Sequence, residues 1–352
     1  MPQAKLNSSR FSLAYLVVAA AYTFALPPSD VVADNWPNWR GPQQNGTASG
    51  AGYPTEWSTE KNVAWRYALP GLGASTPAIW GEKIFLTVVE GDKNVAICLN
   101  RNGEKIWQAS FHEAAEPKHK KATGANSSPV TDGEHVVFYF KSGDLVCTDM
   151  DGNLAWQKNL PDEFGENTLW WDLGTSPVLA QGKVIVTHQQ TGPSWIVAFD
   201  MKSGDLAWKQ DRPLPAPKEA AQSYTTPLVI GAGDSQLMVL AGADHVTAHR
   251  LNDGQERWRV GGLNPEQEQF FRSISSPVAT KTHVLVPYAR GDTLTAVRLG
   301  GSGDVTDTHV DWVKEFSADV PTPAAIRDRV YVLRDKKGVA CLNSETGETI
   351  WE

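Results

Sequence analysis

Three cysteines in 352 residues are too few, and odd in number, for the disulfide framework of a small exported domain. Cys98, Cys147 and Cys341 share one place in a repeated phrase, where they alternate with Ala198, Ala248 and Ala296. A slot that takes Cys or Ala is small and buried, so these thiols are expected to pack as small hydrophobes. A basic stripe is also missing. The net charge is −8 with both signs mixed along the chain, which argues against a nucleic-acid partner. Beyond the N-terminus no run is apolar enough to span a bilayer. The G-x-S-x-G elbow, the H-E-x-x-H helix and the glycine-rich phosphate loop ending in Lys-Ser/Thr are absent. Helical periodicity is nearly so.

What is present starts with an export-like N-terminus. Lys5 and Arg10 precede the apolar stretch at residues 11–26, and small residues follow at 31–33. These are the parts of a secretory signal peptide over residues 1–33, with an uncleaved anchor as the alternative. Residues 34–61 then read as a lead-in segment.

From residue 62 to 352 one unit repeats. It opens on small hydroxyl residues and a proline: "STP" at 75–77, "SSP" at 127–129, "TSP" at 175–177, "TTP" at 225–227, "SSP" at 275–277 and "PTP" at 321–323. A β-branched or aromatic run follows, then a short strand, an Asn/Asp–Gly turn and a strand bearing tryptophan. In five of the six units a glycine stands four residues before that tryptophan. Four short strands per unit of about 50 residues predict an all-β chain, a β-propeller of four-stranded blades. Of the 14 tryptophans, seven are expected to staple blades together: Trp65, Trp107, Trp156, Trp208, Trp258, Trp312 and Trp351. There are six complete blades. Trp65, in "NVAWRYALP" (62–70), lies on an N-terminal strand of the kind that closes a final blade. That mismatch predicts a C-terminally incomplete ring.

The phrases "AFDMKSGDLAW" and "CLNSETGETIW" resemble the tryptophan-docking repeat of the pyrroloquinoline quinone (PQQ)-like propeller superfamily. That superfamily includes quinoprotein alcohol dehydrogenases and the assembly lipoprotein BamB, both eight-bladed. The opening "NWPNWRGPQQNGTASG" (35–50) and the insert at 300–312 resemble exported PQQ-like repeat proteins of planctomycete-type bacteria. The dehydrogenase resemblance implies PQQ, Ca²⁺ and an adjacent cysteine pair over the cofactor. The pair is missing here, and no acidic cluster reproduces a calcium cage. Asp304, Asp307 and Asp311 suggest either a cation loop or turn residues. The loop with His112, Lys118, His119, Lys120 and Lys121 suggests either an anion site or a solvated surface.

What remains is a face. The loops from each tryptophan strand to the next blade are long and carry Trp170, Trp171, Tyr224, Phe270, Phe271 and Arg272. Aromatics flanked by charge suit a binding surface, or else they plug the channel. The resulting expectation is an exported, non-catalytic scaffold that binds a protein or cell-envelope partner without a cofactor. A PQQ-dependent dehydrogenase and a carbohydrate-binding propeller are the alternatives.

Overall fold

The structure is a computed structural model and describes residues 35–335 and 337–352. The export segment read at residues 1–33 lies outside the described residues. Six four-stranded antiparallel sheets follow one another along the chain, each in sequential strand order; the fourth gains a fifth strand. They are the blades of a β-propeller. Blade one comprises Ala78–Trp80, Lys83–Glu90, Lys93–Asn100 and Lys105–Glu113. The innermost strand is the shortest, and it begins just after the proline, which cannot donate to a ladder.

The hydroxyl residue before each proline joins one blade to the next. The backbone N–H of Thr76 donates to Ser128 Oγ at 2.9 Å, and Ser128 N–H to Ser176 Oγ at 2.9 Å. Ser176 N–H reaches Thr226 Oγ1 at 3.0 Å, Thr226 N–H reaches Ser276 Oγ at 2.9 Å, and Ser276 N–H reaches Thr322 Oγ1 at 3.0 Å. These side chains line the central channel, where inner strands crowd and a larger residue would collide. The "S/T-P" signature is therefore a joint as well as a packing constraint.

A second joint lies at the rim. Five of the tryptophans set their indoles over a turn glycine of the following blade. A Cβ on Gly103, Gly152, Gly204, Gly254 or Gly347 would fall 2.5–2.9 Å from the rings of Trp65, Trp107, Trp156, Trp208 and Trp312 respectively. The same glycines have φ between +71° and +87°, a conformation that side chains resist. One residue type thus satisfies the turn and the ring together. The indole N–H groups of these five tryptophans donate to the carbonyls of Arg101, Met150, Met201, Leu251 and Ser344 at 2.6–3.2 Å.

The Cys/Ala slot faces the staple across the sheet. Cys98, Cys147 and Cys341 pair with Trp107, Trp156 and Trp351, while Ala198, Ala248 and Ala296 pair with Trp208, Trp258 and Trp312. Beside an indole only a small side chain fits. All three cysteines are free and buried, and burial pushes the Cys98 thiol up to about 11 and that of Cys147 to about 12.

Two regions depart from the expected pattern. Residues 62–70 join no named strand, although Trp65 sits on blade one as a staple would. The insert at 300–312 supplies Gly303–Asp304, which pairs in parallel with Glu256–Val260 and widens blade four. Trp258 is thereby sealed to 1% exposure, and its indole N–H has no hydrogen-bond partner. The unit without the turn glycine is the one whose preceding staple lacks its carbonyl.

The lead-in segment forms a strap across the channel, on the face opposite the long loops. Trp36 exchanges two backbone hydrogen bonds with Ile79 of blade one, and Asn45 O accepts from Ala325 N–H of blade six. Trp39 lies against the channel from this side.

Candidate binding face

The loops leaving the tryptophan strands are held by their own side chains. After Leu154–Asn159, a short helix at Leu160–Phe164 is capped by Asn159, whose side chain accepts from Asp162 N–H. The chain then runs to Trp170 and Trp171, each just under half exposed. Both are fixed at the backbone. Trp170 N–H donates to Gln222 Oε1 at 2.8 Å, and Trp171 N–H donates to Tyr224 Oη at 3.2 Å. The Trp171 indole donates to Glu219 Oε1 at 2.6 Å, and its ring meets His119 edge-on with centroids 5.3 Å apart.

Phe270 is 48% exposed. Its neighbour Phe271 is partly buried, edge-on to Tyr288 at 6.1 Å. The hydroxyl of Tyr288 donates to Asp244, a carboxyl raised above its ordinary range by burial.

Two of the residues read as surface contacts are inward instead. Tyr224 is 8% exposed and lines the channel, and its hydroxyl donates to Gln222 Oε1 at 2.9 Å. Arg272 is pinned, with Nη2 at 2.9 Å from Asp319 and Nε at 3.7 Å from Glu219. Glu219 therefore ties the Trp171 indole to Arg272. The presented aromatics are Trp170, Trp171 and Phe270; Tyr224 and Arg272 support them from beneath. Alternation with charge in the sequence cannot separate those roles, because both kinds of residue sit in the same loops.

The basic loop already holds an anion, the chain's own Asp172. That carboxylate accepts from the backbone N–H groups of Lys118 and His119 at 3.0 Å and pairs with Lys141 at 2.6 Å. Lys141 and Asp172 are both nearly sealed from solvent, so each needs the other. Sequence reading missed this pair, since the partners stand in different units. It also missed Arg212, which is buried and donates to Thr247 Oγ1, Gln189 Oε1 and Gly242 O at 2.6–3.1 Å. Burial lowers that guanidinium to about 9.

The acidic residues of the insert are spent locally. Asp304 accepts from Thr306 N–H at 3.0 Å, and Asp311 pairs with His283 at 2.8 Å and Arg298 at 3.1 Å. Asp307 lines a shallow surface pocket beside them. Among the described residues no group of three or more His, Cys, Asp or Glu is placed to hold a metal ion.

The channel encloses about 280 Å³ between Trp39 and the long-loop face, lined by the hydroxyl joints with Tyr224, Ile274 and Val320. Its lining has no carboxylate to ligand Ca²⁺ and no cation to meet the carboxylates of PQQ. The cysteines lie in blade interiors opposite tryptophans. These residues do not fit that cofactor.

The chain is similar in structure to BamB from Moraxella catarrhalis, at a TM-score of 0.55 and 18% identity over 79% of this chain and 75% of that one. A europium-containing methanol dehydrogenase gives a TM-score of 0.56 at 11% identity, covering 78% of this chain and 70% of that one. The quinohemoprotein alcohol dehydrogenase of Comamonas testosteroni gives 0.59 at 10% identity, covering 90% of this chain and 66% of that one. At such identities the likeness is one of fold, which scaffolds and enzymes share. No curated protein matches the chain in sequence. The family model described as outer membrane protein assembly factor BamB matches residues 47–222 and again residues 196–352, together the whole repeat region, and the chain belongs to that family.

Proposed function

We propose that this protein is an envelope-associated, non-catalytic scaffold that grips a protein partner through its long-loop face. The observation that carries the reading is the trio Trp170, Trp171 and Phe270. Each is roughly half exposed, and Trp170 and Trp171 are hydrogen-bonded to buried loop residues. Large aromatics held in place lose little freedom on binding, and such residues dominate interface energies. The family's description as an assembly factor supports a protein partner. The low-charge channel supports neither a quinone nor calcium.

The test is site-specific photo-crosslinking from position 171 and position 270 in the native envelope. One discrete partner captured from both positions, and lost on Trp171→Ala with Phe270→Ala while the melting temperature holds, is the expected result. Two other outcomes would replace the reading. Quenching of tryptophan fluorescence by micromolar PQQ with Ca²⁺ would make the protein a quinoprotein. Saturable glycan binding abolished by Trp171→Ala would make it a carbohydrate binder.

A further inference from the structure

The strap meets the blades by a single rule. It supplies an acceptor to the backbone N–H two residues after the blade's proline. Ile79 N–H donates to Trp36 O at 2.8 Å in blade one, and Thr131 N–H to Pro37 O at 2.9 Å in blade two. Val229 N–H donates to Gln44 Oε1 at 3.0 Å in blade four. Ala325 N–H donates to Asn45 O at 3.1 Å in blade six.

These four residues are equivalent in register, standing opposite Ile84, Val136, Met238 and Val330 on the second strands. Residues in such non-hydrogen-bonded pairs turn their N–H away from the neighbouring strand. The same register puts Leu179 opposite Val184 in blade three and Ala279 opposite Val284 in blade five. Neither receives an acceptor from the strap, and no backbone or side-chain acceptor meets their N–H groups among the described residues.

Leu179 and Ala279 open into one cleft of about 760 Å³, walled on one side by Pro42, Gln43 and Gln44 of the strap. Leu228, Ile230 and Leu299 give it apolar wall beside the polar Gln43, Gln44, Gln236 and Thr280, and among the described residues Lys281 is its only charged lining residue. We propose that this cleft docks an extended, uncharged peptide segment of a partner protein, which gives Leu179 and Ala279 the acceptors that the strap gives the other four blades. The strap shows the occupant's chemistry. Its four acceptors are three backbone carbonyls and one glutamine amide, none of them charged; Trp36 and Pro37 present theirs before the turn at residues 39–44, and Gln44 and Asn45 at its end. An unpaired strand edge is a template for such a segment. The site lies on the face opposite Trp171 and Phe270, so it stands whether or not that face binds.

The probe is an end-blocked peptide copying residues 41–47, which carries both glutamines and no charge, added to the full ¹⁵N-labelled protein. In the free protein the amides of Leu179 and Ala279 should exchange quickly with solvent, while those of Ile79, Thr131, Val229 and Ala325 are protected. Peptide should slow exchange at Leu179 and Ala279 about tenfold or more, the scale of one net hydrogen bond. Ala279→Pro deletes one donor at an edge position that tolerates proline, and should weaken binding about fivefold to tenfold at unchanged melting temperature. The exchange measurement needs no variant and decides alone if that one does not fold. Protection of Leu179 and Ala279 before peptide is added overturns the proposal. So does the absence of any change at millimolar peptide, or changes confined to Trp171 and Phe270 or to Ile79 and Thr131.

Discussion

Trp208 and Trp258 hold the same place in successive blades, yet their joints are built differently. Trp208 covers Gly254 of the next blade and donates its indole N–H to Leu251 O at 3.0 Å. Trp258 faces a unit with no turn glycine. A strand from the insert at 300–312 covers it, leaving the indole N–H buried and unpartnered. At the indole, the first joint has area and a hydrogen bond; the second has area alone and carries a desolvation cost of about 1–3 kcal/mol. There the backbone pairing of Gly303–Asp304 with Glu256–Val260 ties the two blades in place of the indole hydrogen bond. The hydrogen bond fixes where on the neighbour the ring rests.

Four measurements would break or sharpen this contrast. The largest effect is expected from Trp208→Ala, which should lower unfolding free energy by about 3–5 kcal/mol, as for other buried large-to-small changes; an unchanged chemical denaturation midpoint would end the staple reading. Gly254→Ala comes next. It forces a side chain into φ +71° with its Cβ 2.5 Å from the Trp208 ring, and left-handed backbone alone costs about 1–2 kcal/mol. The contrast predicts that Gly303→Ala under Trp258 is milder, because a Cβ there meets nothing within 4 Å. Smaller again is the indole N–H itself. Trp208→Phe should cost about 1 kcal/mol more than Trp258→Phe, since only the former loses a net hydrogen bond; equal costs would mean that Trp258 finds a partner in solution.

The last effect appears only in acid. Burial holds His249 down to about 4, and its Nδ1 lies 2.9 Å from Gly254 O, on the turn that Trp208 covers. The folded protein binds that proton less readily than the unfolded chain, whose histidine titrates near ~6.5. The stability from neutral His249 is thus full above pH ~6.5 and is lost as pH falls towards about 4. His249→Gln should flatten the acid limb of the stability curve without moving its neutral plateau. A parallel shift of the whole curve would assign His249 a packing role only.

The blades were readable from sequence because their joints are local and repeated. A hydroxyl before proline, a small residue opposite a tryptophan and a glycine four residues earlier recur at one spacing, and each has a single steric reason. The strap was not readable. Pro37, Gln44 and Asn45 reach three different blades, so their positions follow the geometry of the assembled disc and no period. The loop face was half legible. Aromatic content marked Trp170, Trp171 and Phe270, but Tyr224 turns inward with its hydroxyl between Gln222 and the Trp171 N–H, and Arg272 is anchored by Glu219 and Asp319, which lie in other loops. Residues 62–70 looked like a strand by composition, yet no partner pairs with them among the described residues.

The hydroxyl joints around the channel have a direction. Blades two to five each give an N–H to the next and offer an oxygen to the one before, from the same residue. A duplicated unit inserted anywhere in the series would bring a matching socket and plug, and its neighbours would need no change. Growth of such a chain by tandem copying is thus chemically neutral at the axis, and selection on a new blade can act first on its loops.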